Sequence, residues 1–412
     1  MDNENVKISA SRRMRRSVKN FGRNIKTKGM QNMIILIALV VLIFVFYLLN
    51  PNFLNRYNIV SMAQSLAPYA ILALGVTFVI ATGGIDLSIG TVCIASSVVA
   101  GHLYTKQIIP LWATIPVMIL IGALFGIING FLVAKLKIPA FIATLGTMML
   151  SRGLSAIIVA VPNIFYPTGS WFNEVFSNYK SFPVGLIWIV GFMLVCMYLM
   201  YKNKVGRYIL SIGSNEEATR LSGINTNKYK MLAYIIGGIG AGIAAIFWSA
   251  SFTTVAAATG NGYELDAIAG VYIGGTSAAG GVASVSGSVI GSIMLVVIRS
   301  GLNFVLAKFH VNVNATYVTY VLTGIIVVIA VLMDIIKNKR AAKVKILTPA
   351  QKLKRNYIEN KDHLEYRLDE VLSNKALPES ERTAQSAEIR KQIETAKVEY
   401  KLELDKIKQQ KA

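Results

Sequence analysis

Apolar runs of close to twenty residues recur along this chain, and they restrict its fold more than any other feature. Met33 to Leu49 (MIILIALVVLIFVFYLL) and Trp188 to Tyr201 reach or approach the roughly 20 residues that cross a bilayer as helix. Hydrophobic residues make up 54% of the 412, and the mean hydropathy is +0.53. A soluble core of that size could not hide so much apolar surface. The fold class that follows is all-α, a polytopic transmembrane helical bundle.

The formal charge of +21 comes largely from the two ends. Arg12, Arg13, Arg15, Arg16, Lys19, Arg23, Lys26 and Lys28 precede the first apolar run, and residues 337–412 are again rich in lysine and arginine. Because this excess flanks apolar spans, it holds both termini on the cytoplasmic side, and nucleic acid is set aside as a partner. Cys93 and Cys196 lie in apolar surroundings without metal-ligand spacing, so neither a disulfide framework nor a metal site is expected. The N-terminal segment is too basic for a signal peptide.

Hydropathy and breakers divide the chain into a basic cytoplasmic segment 1–31, a transmembrane domain 32–337, and a charged, helical cytoplasmic tail 338–412. About ten spans are expected, near 33–49, 59–82, 87–104, 111–133, 139–161, 184–201, 231–251, 263–281, 282–306 and 315–336. This count puts Lys135, Lys137 and a central loop, 202–230, on the cytoplasmic side, and the Pro162 to Pro183 segment outside. Gly237, Gly238, Gly240 and Gly242 are small residues of the kind that let helices approach closely. Two regions are broken by glycine, Gly83-Gly84-Ile85-Asp86-Leu87-Ser88 and Gly274-Gly275-Thr276. Phe78 to Gly84 echoes Gly270 to Gly275, and paired broken helices are where transporters build their pathway.

The polar stretch Gly206 to Ile224 (GRYILSIGSNEEATRLSGI) interrupts this pattern. Charges such as Arg207, Glu216, Glu217 and Arg220 cannot sit in hydrocarbon, so the stretch must face water and a protein partner. Asn215 can cap a short helix, Glu216 and Glu217 fall in its favourable first turn, and Gly223 can end it. Gly213 to Ile224 (GSNEEATRLSGI) resembles the cytoplasmic coupling segment of the permease subunits of bacterial ABC importers for ribose, galactose and xylose. Thr82 to Gly90 (TGGIDLSIG) and Tyr263 to Ala269 (YELDAIA), running into Gly274-Gly275-Thr276-Ser277, match the same family in the same order. The long charged tail departs from that pattern.

The resemblance implies a pathway-forming subunit in a bacterial plasma membrane, multi-pass and in contact with lipid, paired with a second permease subunit. It would work with a cytoplasmic ABC ATPase and an extracellular or periplasmic sugar-binding protein. Its coupling residues would be Gly213, Asn215, Glu216, Glu217, Ala218, Arg220, Ser222 and Gly223. Candidates for the substrate pathway or its gate are Gly83, Gly84, Asp86, Ser88, Glu264, Asp266, Gly274, Gly275, Thr276 and Asn303. For Asp86, capping of the following helix competes with contact to a sugar hydroxyl, and Glu264 and Asp266 would cap or gate the outer end of their span. Arg152 and Arg299 need partners, Asp86 or Asp266 being candidates for Arg299. His102 and His310 stand near span ends without companions.

No GxxxxGK[ST] motif, nucleophile elbow or HExxH helix is present in the sequence. The chain is therefore expected to be a transporter subunit without a catalytic site or cofactor of its own, with ATP and Mg held by the partner ATPase. Pentose or hexose is the expected cargo, with nucleoside, inositol or a signalling sugar behind. A secondary transporter is the rival class, but ion coupling calls for several acids deep in the spans, and Asp86 is nearly alone there.

Overall fold

A computed structural model describes residues 33–159, 163–180, 182–256, 260, 262–309, 315–342, 349–373 and 377–409. The basic segment 1–31 and His310 lie outside the described residues. Helix α1 (Met33–Leu49) is followed by α2 (Arg56–Ala81), α3 (Ile89–Thr105), α4 (Thr114–Gly130) and α5 (Ala140–Val159). A short α6 (Trp171–Phe176) precedes α7 (Gly185–Met197), α8 (Lys204–Ser214), α9 (Glu216–Leu221) and α10 (Thr226–Phe252). Then come α11 (Tyr263–Ile273), α12 (Val285–Lys308) and α13 (Ala315–Ala342), and beyond them α14 (Pro349–Ser373) and α15 (Glu379–Gln409). One two-residue pairing, Ile164–Phe165 with Thr254–Val255, ties the segment before α6 to the end of α10.

Among the described residues, six helices are long and apolar enough to cross a membrane, and Met33–Leu49, Ile89–Thr105 and Val321–Ile336 are shorter apolar helices. The expected span at 263–281 is the largest departure. It contains an 11-residue helix, α11, followed by irregular chain as far as α12. Gly274-Gly275 ends the helix after Ile273, so a hydropathy average across the break reads as one span what is half helix and half turn.

α2 and α10 are the core of the bundle. Their most apolar stretches are 89% and 67% buried, against 33% for the run Leu111–Lys135 and 22% for Gly185–Lys202. Glycine spacing on α10 explains how two neighbours approach it at once. Gly237 and Gly240 meet α2 around Gly75, while Gly238 and Gly242 meet α4 at Gly122, Gly126 and Met118. The contacts 118 to 242, 122 to 238 and 126 to 234 run in opposite directions, so α4 and α10 are antiparallel. A Cβ at Gly126 would lie 2.6 Å from the Tyr234 carbonyl oxygen. Only small residues allow backbones this close, and close approach is what drives helix association where lipid is as apolar as the side chains. α11 packs on α12 in the same manner, Gly270 against Gly291 and Gly274 against Gly287. The outer helices turn apolar side chains outward instead, as Leu120, Leu150 and Ile157 do at 66%, 56% and 77% exposure, the pattern of a lipid-facing belt.

The chain divides into two units, Met1–Asn338 and Lys339–Ala412. The second is a helical hairpin in which Tyr357 of α14 stacks on Tyr400 of α15 at 4.5 Å, with Leu364 and Ile389 buried.

Candidate functional site

The coupling segment folds as two short helices. Asn203 caps α8, its side chain accepting from the Val205 N–H, and Gly206, Ile209 and Ile212 make its buried face. Asn215 then caps α9 by accepting from the Ala218 N–H at 2.9 Å. Thr219 is the buried residue of α9 and shares a hydrogen bond with Ser211 at 3.0 Å, which fixes α9 against α8. α9 ends at Gly223, φ +81°, where the Gly223 N–H donates to Arg220 O and the Ile224 N–H to Thr219 O. Ser222 Oγ donates back to the Ala218 carbonyl.

The charges of α9 have two destinations. Glu216 pairs with Lys230 of α10 at 2.5 Å. Partial burial raises the Glu216 carboxyl, but the hydrogen bond and charge of Lys230, with the charge of Lys137 and a hydrogen bond from Thr226, together outweigh that and hold it below the usual carboxylate range. Glu217 and Arg220 pair with each other at 2.5 Å on the open surface. Leu221, 79% exposed, stands beside them. Sequence reasoning passed over Leu221; its signal was a large apolar side chain on a six-residue helix that already has its buried contact in Thr219.

The C-terminal end of α8 reaches both glycine-broken segments. A Cβ at Gly213 would collide with the Ala81 carbonyl oxygen and the Gly281 nitrogen, and the Gly281 N–H donates to that same Ala81 oxygen at 3.0 Å. A Cβ at Gly280 would lie 2.7 Å from the Gly83 nitrogen and 3.0 Å from Gly213 Cα. Three segments thus meet main chain to main chain. The two breaks have one geometry: Gly83 (φ +81°) and Gly275 (φ +86°) each close their helix with paired bonds, Gly84 N–H to Val79 O and Gly83 N–H to Ile80 O, Thr276 N–H to Val271 O and Gly275 N–H to Tyr272 O. Thr276 Oγ1 accepts from the Ser284 N–H, and Asp334 of α13 accepts from Ser277 Oγ and the Ala278 N–H, so the second break is pinned along its length.

Asp86 is buried within the bundle. It accepts from the Ser88 N–H at 2.9 Å and from Ser88 Oγ at 2.7 Å. Asn129 of α4 donates to Ser88 Oγ at 2.8 Å, and Thr147 of α5 donates to Asn129 at 2.6 Å. Ser88, not Asp86, occupies the N-cap position of α3. The carboxylate lies two residues before the N-cap and supports the turn that leads into the helix, and Gly84 lies against Tyr234 in the same region.

Glu264 and Asp266 share the first turn of α11 and face different ways. Glu264 lies against Gly90 at the start of α3, with Oε1 accepting from the Gly262 N–H and Oε2 without a partner among the described residues. Asp266 pairs with Arg299 of α12 at 2.5 Å, and Arg299 also donates to Tyr69 Oη at 2.6 Å. Both acids stand at the end of their helix, and α11 starts beside Tyr69, the thirteenth residue after Arg56, so its first turn lies part-way along α2. Of the two partners considered for Arg299, Asp266 is the one it meets. Asn303 is exposed, one turn beyond Arg299. No group of three His, Cys, Asp or Glu that could hold a metal occurs among the described residues.

Residues 58–331 match the family described as branched-chain amino acid transport system / permease component. The chain is 37% identical over 311 residues to the ribose import permease protein of Escherichia coli K12, covering 73% of this chain and 92% of that protein. It is 32% identical to the galactose/methyl galactoside import permease protein of the same strain, covering 74% of this chain and 94% of the relative. It is also 32% identical to the fructose import permease protein of Bifidobacterium longum, covering 73% and 91%. No solved structure matches the chain. Helical, membrane-length and built around the motifs described above, the chain belongs to the family of ABC importer permease components that includes these sugar permeases.

Proposed function

We propose that this chain is the membrane-spanning subunit through which an ATP-driven importer moves a monosaccharide of the ribose, galactose or fructose type into a bacterial cytoplasm. A separate cytoplasmic ATPase supplies the energy and docks on α8 and α9. A second permease subunit completes the pathway, and a binding protein outside delivers the sugar. The observation that carries this reading is the joint at Gly213. One end of a capped, surface-charged helix pair lies against the closing turn of α2 and against Gly280-Gly281 in the segment joining α11 to α12, so a push on the pair reaches both glycine-broken regions of the bundle. Such an element is what a rigid-body transport cycle needs. The exposed Glu217, Arg220 and Leu221 offer the ATPase a charged rim and an apolar anchor.

Uptake in membrane vesicles tests this. Accumulation of D-ribose, D-galactose or D-fructose is expected to need internal ATP, the ATPase and the binding protein, and to survive an uncoupler. Uptake driven by an ion gradient alone would overturn the reading in favour of a secondary transporter. Glu217→Lys and Gly223→Arg are expected to leave the permease in the membrane while abolishing stimulation of the ATPase by the loaded binding protein. Undiminished stimulation in both would move the docking site elsewhere.

A further inference from the structure

The second half of α12 presents polar groups where a membrane helix would be expected to present apolar ones. Arg299 lies nine residues before Lys308, about 13 Å along the helix from its end. Its side chain remains 28% exposed although its partner Asp266 is 6% exposed. Asn303, four residues on and therefore on the same face, is exposed. Beneath Arg299 is a small, partly open cavity lined by Tyr69, Asp266, Ser292, Leu295, Val296 and Arg299. A guanidinium and an amide opening onto lipid would be costly, and charged groups at such depth face water-filled cavities or other protein.

The chemistry of the opening is specific. Arg299 spends one N–H on Tyr69 Oη and one on Asp266, and its guanidinium lies 5.0 Å from the centre of the Tyr69 ring. Among the described residues the guanidinium has no other partner, which leaves three of its five N–H donors, in a fork whose orientation Asp266 and Tyr69 fix. Vicinal hydroxyls of a sugar present paired oxygen acceptors to such a fork, and the Asn303 amide adds one donor group and one acceptor a turn further along.

We propose that Arg299 and Asn303 line an aqueous stretch of the translocation path and contact the hydroxyls of the passing monosaccharide, with Asp266 and Tyr69 as the residues that position Arg299. The inference rests on the import reading above and assigns a place and chemistry to the sugar's contact. The Asp266 pair accounts for the charge of Arg299, and the exposed Asn303 one turn on is the polar group on this face that the pair leaves unexplained.

Cysteine labelling tests it, because the native Cys93 and Cys196 are both buried. Arg299→Cys, Asn303→Cys and, as the lipid-facing control, Leu120→Cys are placed in the full importer in membrane vesicles and exposed to a charged methanethiosulfonate reagent. Cysteines at 299 and 303 are expected to react and the one at 120 to stay unmodified. Whichever of D-ribose, D-galactose or D-fructose the wild type accumulates is expected to slow modification at 303 at least fivefold during transport. Arg299→Cys leaves Asp266 unpaired, so if it fails to reach the membrane, Asn303→Cys decides. A 303 cysteine as inert as the control, or one modified at the same rate with and without transported sugar, overturns the proposal. Should the wild type accumulate none of the three sugars, the import reading fails, and the contrast between 303 and 120 still decides whether this face is wet.

Discussion

Asp86 shows how a single acid is kept inside a hydrophobic bundle. Both hydrogen bonds to its Oδ1 come from Ser88; Ser88 in turn is held by Asn129 of α4, and Asn129 by Thr147 of α5. Removing the acceptor strands donors that have no water to turn to, at about 1–3 kcal/mol for each unsatisfied group. Asp86→Ala is therefore expected to lower the thermal unfolding midpoint and the membrane abundance of the permease, while Asp86→Asn, which keeps the Oδ1 acceptor, loses less than half as much. Equal losses, read by thermal unfolding in detergent, would mean that the charge matters more than the acceptor. The sequence marked Asp86 as informative because an acid at a glycine break must be accounted for. It could not supply Thr147 or Asp334, whose roles depend on which helices meet.

Between elements, glycine position decides the packing. The run Gly237-Gly238-Ile239-Gly240-Ala241-Gly242 reads in sequence as a close helix contact, and that holds. Hidden there was the division of labour, since 237 and 240 face α2 while 238 and 242 face α4; helical phase gives the two faces but not the partners. For the same reason the partner of Arg299 stayed open between two acids until the register of α11 on α12 was known. The break in α11 was legible as Gly-Gly, yet its length was not, because small residues on either side keep the hydropathy high. Gly122→Leu inserts a branched side chain where backbones touch, and is expected to abolish assembly of the bundle, seen as loss of the protein from the membrane fraction. Leu120→Ala, two residues away on the outward face, is expected to change abundance by less than twofold. Similar losses from both substitutions would argue against the α4–α10 register.

Taken as a whole, the molecule carries more chain than its transport relatives. The family match ends at residue 331, and the E. coli ribose permease is covered over 92% of its length by 73% of this chain. A chain ending at Asn338 is accordingly expected to keep sugar uptake within about twofold of the full protein, measured in the same vesicles; a loss greater than tenfold would give the α14–α15 hairpin a part in transport. In the sequence, charge sets 338–412 apart from the apolar spans, whereas the stacking of Tyr357 on Tyr400 needed coordinates. The joint between Gly213, Ala81 and Gly281 has a last consequence. A linkage of bare peptide has no rotamers through which to yield, so it transmits a stroke with little play. It also asks only for small size at its pivots, which leaves the neighbouring side chains free to drift among lineages without loosening the lever.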